Sequence, residues 1–207
     1  MNWKEQAGKL YAILDASCFS APSLLFDAAD ELASAGVKII QYRNKSADAR
    51  TMLTQAKELK SRIASRPKLI INDRADLCLA ADFDGVHVGQ DDLLPESARL
   101  IIGAHRWLGV STHNAEQVAE ADRTSADYIA IGPVFATVSK ANPDPIVGLA
   151  GLRRTRELTS KPLVAIGGIT RQNCSSVLEA GADSIAVISD LVRDPRKSAE
   201  EFLRILG

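Results

Sequence analysis

The sequence is poor in the features that mark several protein classes. It holds three cysteines, Cys18, Cys78 and Cys174, an odd number at wide spacing with no Cys-x-x-Cys pair. That argues against a disulfide framework and against a zinc site, and fits reduced thiols in a cytoplasmic protein. Aromatic residues make up 5% of the chain and form no stripe interleaved with basic residues, so no stacking platform for single-stranded nucleic acid is expected. Net charge is nearly absent, since 25 Lys and Arg stand against 26 Asp and Glu. Neither nucleic acid nor an anionic membrane surface is therefore an expected partner. No run reaches 18 apolar residues, which excludes an ordinary membrane-spanning helix. The start, Met1-Asn2-Trp3-Lys4-Glu5-Gln6, turns acidic at once, unlike a secretory signal.

What is present fits one globular domain over residues 1–207. Apolar residues are 46% and charged residues 25%, close to the globular average. A chain of this length buries roughly 70% of its unfolded surface and needs no metal or disulfide to fold.

Eight short apolar runs recur along the chain: Leu10–Leu14, Val37–Tyr42, Leu69–Asn72, Gly85–Val88, Leu108–Ser111, Tyr128–Gly132, Leu163–Gly167 and Ser184–Ile188. Near-continuous runs rich in Val, Ile and Leu fit strands covered on both faces, as in parallel sheets. Helical patterns lie between them. Ser46 reads as an N-cap, followed by Met52, Ala56, Leu59 and Ile63 on one helix face. Asn114 before Ala115-Glu116-Gln117 reads as a capping-box-like start. Pro95 can open another helix at its first position. Gly36 and Gly181 each follow an Ala-rich stretch, as left-handed C-caps would.

A weak internal echo supports a repeated strand–helix unit. Ser34-Ala35-Gly36-Val37, Ala81-Asp82-Phe83-Asp84, Ser125-Ala126-Asp127-Tyr128 and Ala180-Gly181-Ala182-Asp183 all join a helix to a strand. Eight such units predict an α/β fold, the (βα)8 or TIM barrel. The rival is an open doubly wound sheet. It is disfavoured because the first turn carries no G-x-G-x-x-G, while the Gly167-Gly168 pair falls late, where barrels bind phosphate.

Barrel enzymes work at the C-terminal ends of their strands, and polar residues gather there. They are Gln41, Arg43 and Lys45 after the second run, then Asn72 and Asp73 after the third. His87, Gln90, Asp91 and Asp92 accompany the fourth, with Ser111 and Thr112 at the fifth. The sixth leads to Thr137, Ser139 and Lys140, the seventh to Gly167-Gly168 and the eighth to Ser189. Arg43, Lys45 and Lys140 can bring three positive charges to one pocket. Asp73 could cap the next helix, but beside Asp92 and these cations it points to a magnesium ion completed by phosphate oxygens and water. Gly167-Gly168, read as opening a helix, and Ser189 would turn backbone N–H groups toward a second anion. The stretch 133–147, with Pro133, Pro143 and Pro145, reads as a lid. His87, between Val86 and Val88, reads as a hydrogen-bonded barrel histidine, and His105 and His113 as solvated or local caps. No nucleophile–base triad is legible.

In their order these segments resemble the thiamine phosphate synthase family. The resemblance runs from Leu10-Tyr11 to Ile188-Ser189. It is carried by Gln41-Tyr42-Arg43-Asn44-Lys45, Ile71-Asn72-Asp73-Arg74, Asp84 to Asp92, Gly109 to His113, Gly132-Pro133-Val134-Phe135 with Thr137-Val138-Ser139-Lys140, and Ala165 to Ile169. The family's usual Thr-x-Thr-Lys stands here as Thr137-Val138-Ser139-Lys140. The resemblance implies a barrel transferase of thiamine biosynthesis. Its small-molecule partners are a hydroxymethylpyrimidine diphosphate and a thiazole monophosphate, joined with release of pyrophosphate by dissociative substitution. It implies that Gln41, Arg43, Lys45, Asn72, Ser111 and Lys140 hold the pyrimidine diphosphate. Among these, Arg43, Lys45, Lys140 and Ser111 would be catalytic. Asp73 and Asp92 would bind Mg2+. Thr137, Ser139, Gly167, Gly168, Ile188 and Ser189 would bind the thiazole phosphate. Two rivals share the fold: a thiazole tautomerase, which would not need the diphosphate set, and a non-catalytic phospholigand-binding barrel.

Overall fold

A computed structural model describes residues 3–63, 67–137 and 144–207. Eight parallel strands close a barrel in sequence order. They are β1 (Leu10–Asp15), β2 (Ile39–Arg43), β3 (Lys68–Asn72), β4 (Gly85–Val88), β5 (Trp107–Thr112), β6 (Tyr128–Ile131), β7 (Leu163–Ile166) and β8 (Ser184–Val187). All eight expected runs are strands, and β1 pairs with β8 to close the ring. The helices are α1 (Trp3–Gln6), α2 (Pro22–Ser34), α3 (Ala49–Ile63), α4 (Ala75–Ala80), α5 (Pro95–Ile102), α6 (Ala115–Asp122), α7 (Gly148–Arg156), α8 (Cys174–Glu179) and α9 (Pro195–Leu206). No described helix is long and apolar enough to cross a membrane.

Alternate strand residues divide between two cores. Leu10, Ala12, Leu14, Ile40, Leu69, Ile71 and their counterparts pack outward against the helices. Tyr11, Ile13, Ile39, Ile70, Trp107, Tyr128, Ala130, Val164 and Ala186 fill the barrel. Small residues make room for the large ones. A Cβ on Gly85 would lie 2.3 Å from the Trp107 carbonyl oxygen, and one on Gly109 would lie 2.1 Å from the Tyr128 ring. From α1, Trp3 closes the N-terminal end of the barrel. Its ring lies 5.1 Å from that of Trp107 and 4.7 Å from that of Tyr128, and its indole N–H donates to Ser184 Oγ at 2.9 Å. At the other end of the chain, Asp194 caps α9, which buries Phe202 and Leu206. Burying the Phe202 side chain contributes about 2–3 kcal/mol.

The helix-to-strand echo has a physical basis. Gly36 (φ +93°) and Gly181 (φ +106°) end α2 and α8 in the left-handed region. At each, paired backbone bonds complete a Schellman turn, Val37 N–H to Leu32 O and Ala182 N–H to Val177 O among them. Asp82, at φ +51°, plays the same part after α4. Next come three matching clasps at the N-terminal end of the barrel. Asp84, Asp127 and Asp183 each donate a backbone N–H to the carbonyl of Leu69, Leu108 or Leu163 at 2.8 Å. Each carboxylate then accepts the N–H of that same leucine. Each also pairs with one cation, Lys68, Arg99 and Arg156 in turn.

Pro95 opens α5 and Asn114 caps α6, as expected. The Gln117 side chain reaches back to His113 N–H, one residue beyond the N-cap position of a true capping box. Two expectations need correction. Ser46 does not cap α3. Asp48 does, accepting from Thr51 N–H at 2.9 Å, because Asn44 Oδ1 draws Ser46 and Ala47 N–H into a loop of its own. Nor does Gly167-Gly168 open a helix. The chain first turns through Thr170–Asn173, with Asn173 Oδ1 accepting from Thr170 N–H, and α8 begins at Cys174.

Candidate active site

The C-terminal mouth of the barrel gathers most of the expected residues. Gln41 and Arg43 point inward from β2. Arg43 pairs with Asp15, the buried last residue of β1, whose carboxylate also accepts from Ser17 N–H and Oγ–H. Asp15 is a mouth residue that sequence reading passed over, although it is the first polar residue after an apolar run. Lys45 stands in the next loop, which Asn44 shapes through its bonds to Ser46, Ala47 and Gln55.

Asn72 is buried at the end of β3, and Asp73 follows in the left-handed region at φ +63°. Its backbone N–H donates to the His87 carbonyl at 2.8 Å. That conformation turns the carboxyl into the mouth instead of onto α4, which has no side-chain cap. Asp92 reaches the same place from the loop after β4, anchored by Gly89 N–H at 2.8 Å. Burial and the facing Asp92 carboxyl push Asp73 up to about 6, against the pull of Lys45, whose Nζ lies 3.1 Å away. Asn44, Lys45, Asn72, Asp73, Arg74 and Asp92 line a cleft of about 280 Å³. A like-charged pair in such a cleft favours a proton or a cation between its members.

Deeper in the barrel, His87 is buried and neutral. Burial lowers its imidazole to about 4. Its ring bonds Tyr128 OH at 3.0 Å and Ser111 Oγ at 2.8 Å. Tyr128 OH in turn meets Tyr11 OH at 2.9 Å, and Gln41 Nε2 donates to Tyr11 OH at 2.9 Å. Both tyrosines read as apolar strand residues in the sequence, and only the closed ring brings them together. His105 is exposed, while His113 Nδ1 lies 2.7 Å from the Gly132 carbonyl oxygen.

Across the mouth, Gly167 and Gly168 hold φ of +100° and +63°. A Cβ on Gly167 would lie 2.6 Å from Pro133, and one on Gly168 would lie 2.4 Å from the Ala136 carbonyl oxygen. Both positions therefore require glycine. Ile188 is half-buried against the barrel core, and Ser189 begins a 3-10 turn, Ser189–Leu191. Arg171 joins the two loops. Its guanidinium meets both Asp190 carboxylate oxygens at 3.0–3.1 Å and also pairs with Glu201. Thr137 is half-buried on the β6 side. Backbone bonds between Val147 and Pro133, and between Gly148 and Val134, tie the ends of that loop together. Ser139 and Lys140, with the middle of the expected lid, lie outside the described residues.

A closed parallel barrel with acidic and basic side chains and a glycine turn around one rim defines a (βα)8 protein with its candidate site at the C-terminal mouth. The thiamine monophosphate synthase family model matches residues 10–191. The chain belongs to that family. A thiamine-phosphate synthase of Koribacter versatilis is 60% identical over 201 residues, spanning 96% of this chain and 95% of the relative. That of Methanosarcina mazei is 42% identical, over 85% of this chain and 74% of the relative. The solved thiamine phosphate pyrophosphorylase of Pyrococcus furiosus superposes with a TM-score of 0.88 at 34% identity, covering 99% and 98% of the two chains.

Proposed function

We propose that the chain is a cytoplasmic transferase that joins 4-amino-2-methyl-5-hydroxymethylpyrimidine diphosphate to 4-methyl-5-(2-phosphoethyl)thiazole, yielding thiamine phosphate and pyrophosphate. The observation that carries this reading is the Asp73–Asp92 pair, flanked by Lys45 and set in the same mouth as Arg43 and Asn72. A thiazole tautomerase or a simple phospholigand binder has no use for such a set.

The donor set fits magnesium. Both groups are hard oxygen donors, and burial together with the facing Asp92 raises Asp73. Among the described residues no third His, Cys, Asp or Glu joins them to make a closed cage, in keeping with an ion that takes one or two carboxylates plus phosphate oxygens and water. When bound there, the ion would neutralise charge on the diphosphate.

The chain's own groups account for the rest. Arg43 and Lys45, with Lys140, bind the diphosphate and stabilise the charge that grows as the methylene carbon–oxygen bond breaks. The bonding pair leaves with pyrophosphate, and the electron-rich aminopyrimidine carries the positive charge left on the methylene carbon. Gln41, Asn72 and Ser111 hold that ring. Thr137, Ser139, the Gly167-Gly168 turn, Ile188 and Ser189 hold the thiazole phosphate, so that the thiazole nitrogen lone pair faces the methylene carbon and forms the new bond. No proton is transferred in these steps, in line with the lack of a legible triad.

The test is pyrophosphate release from both substrates, with and without magnesium. Release that requires both substrates and the ion is expected. Binding of thiazole phosphate without release of pyrophosphate would overturn the assignment.

A further inference from the structure

The buried Gln41, Tyr11, Tyr128 and His87 and the half-buried Ser111 form one continuous hydrogen-bonded chain across the barrel. Counting hydrogens sets its direction. A neutral phenol has one hydrogen to give, and burial raises both tyrosines well above their ordinary range, so both stay neutral. Tyr11 OH receives a hydrogen from Gln41 Nε2. Among the described residues its own hydrogen has one acceptor, Tyr128 OH. Tyr128 therefore spends its hydrogen on His87 Nδ1. A ring nitrogen that accepts carries no hydrogen, so the imidazole bears its single hydrogen on Nε2 and gives it to Ser111 Oγ. The opposite direction would need the Gln41 amide reversed, with Oε1 and not Nε2 against Tyr11 OH to take its hydrogen.

We propose that Tyr11, Tyr128 and His87 are positioning residues that fix the hydrogen-bonding sense of the substrate pocket. At one end, His87 donates to Ser111, so the Ser111 hydroxyl hydrogen is free for an acceptor on the ligand. At the other, Gln41 gives its Nε2 hydrogen inward. Its Oε1, which has no partner among the described residues, accepts from a donor on the ligand. One fixed donor and one fixed acceptor are complementary to a ring that carries an amino group and an unprotonated ring nitrogen. The pocket thereby selects the neutral aminopyrimidine. This assignment rests on the proposed transferase activity for its substrate, but the direction of the chain does not depend on it.

Two measurements test it. In ¹⁵N-histidine NMR of the unliganded protein, with His105 and His113 assigned through H105Q and H113Q, His87 should show a protonated Nε2 and a bare Nδ1. A protonated Nδ1 overturns the proposal, whatever the activity. In steady-state kinetics, Y128F removes the donor to Nδ1. It should mix the two tautomers and lower kcat/KM for the pyrimidine diphosphate about tenfold, the worth of one neutral hydrogen bond. KM for the thiazole phosphate should not change. Unchanged kcat/KM, or an equal loss for both substrates, overturns the positioning role. A wild-type protein that releases no pyrophosphate but shows the Nε2 tautomer refutes the transferase reading and leaves the hydrogen-bond direction standing.

Discussion

Replacing Asp73 by Asn should raise the melting temperature of the metal-free protein at about pH 8 and abolish its activity. Burial and Asp92 hold the Asp73 carboxyl at about 6, roughly two units above an ordinary aspartate. A raised carboxyl costs folding free energy when ionised. The cost is present in full above the folded value and fades as pH falls toward the unfolded value near 4. Two units correspond to about 3 kcal/mol at most. Solvent screening reduces that figure, since the side chain keeps 20% of its accessible surface; the pull of Lys45 is already contained in the value of about 6. A net gain of about 1–2 kcal/mol remains, worth roughly 2–8 °C at this chain length. Backbone strain does not offset it, because Asn tolerates φ +63° as well as Asp does. Thermal melts of both proteins between about pH 4 and 8 check the reasoning. The gap should be widest above pH 6 and close near pH 4. Magnesium should stabilise the wild type and not the variant. A variant that melts at or below the wild type at pH 8, or a gap constant with pH, would refute the account.

Other substitutions separate the parts of the molecule. Gly109→Ala would drive a methyl to within 2.4 Å of His87 Nδ1 and 2.1 Å of the Tyr128 ring. It should cost about 1–3 kcal/mol, read as a lower urea midpoint. Arg171→Ala removes the guanidinium bonds that tie the loop of Ser189 to that of Gly167-Gly168 and leaves only the backbone N–H of position 171 on Asp190. KM for the thiazole phosphate should rise about tenfold, if one charged hydrogen-bonded anchor is lost, with KM for the pyrimidine diphosphate unchanged. Asp183→Ala strips the Leu163 N–H and Arg156 of a partner and should cost about 1–3 kcal/mol. Chemical denaturation would measure that loss, and kcat should stay intact because the clasp lies at the far end of the barrel.

The ring was legible because each β-strand is a largely apolar run, and the mouth because a set of polar residues follows those runs. Arg43, Asn72, Asp73 and Asp92 were found by that rule alone. Asp15 obeys it too, but was overlooked behind the first run. Ser46 misled because it is a good capping type whose neighbour Asn44 had already claimed the backbone there. Tyr11 and Tyr128 could not be found by pattern. They sit 117 residues apart, and a tyrosine inside a strand looks like any bulky core residue until closure places two hydroxyl groups face to face.

The three aspartate clasps each join neighbours within one strand pair, β3 with β4, β5 with β6 and β7 with β8. A cut in the loop between β4 and α5 would sever none of them, so each fragment would keep its own latches. The architecture thus carries the seam along which two separately expressed pieces could find each other and rebuild a whole ring.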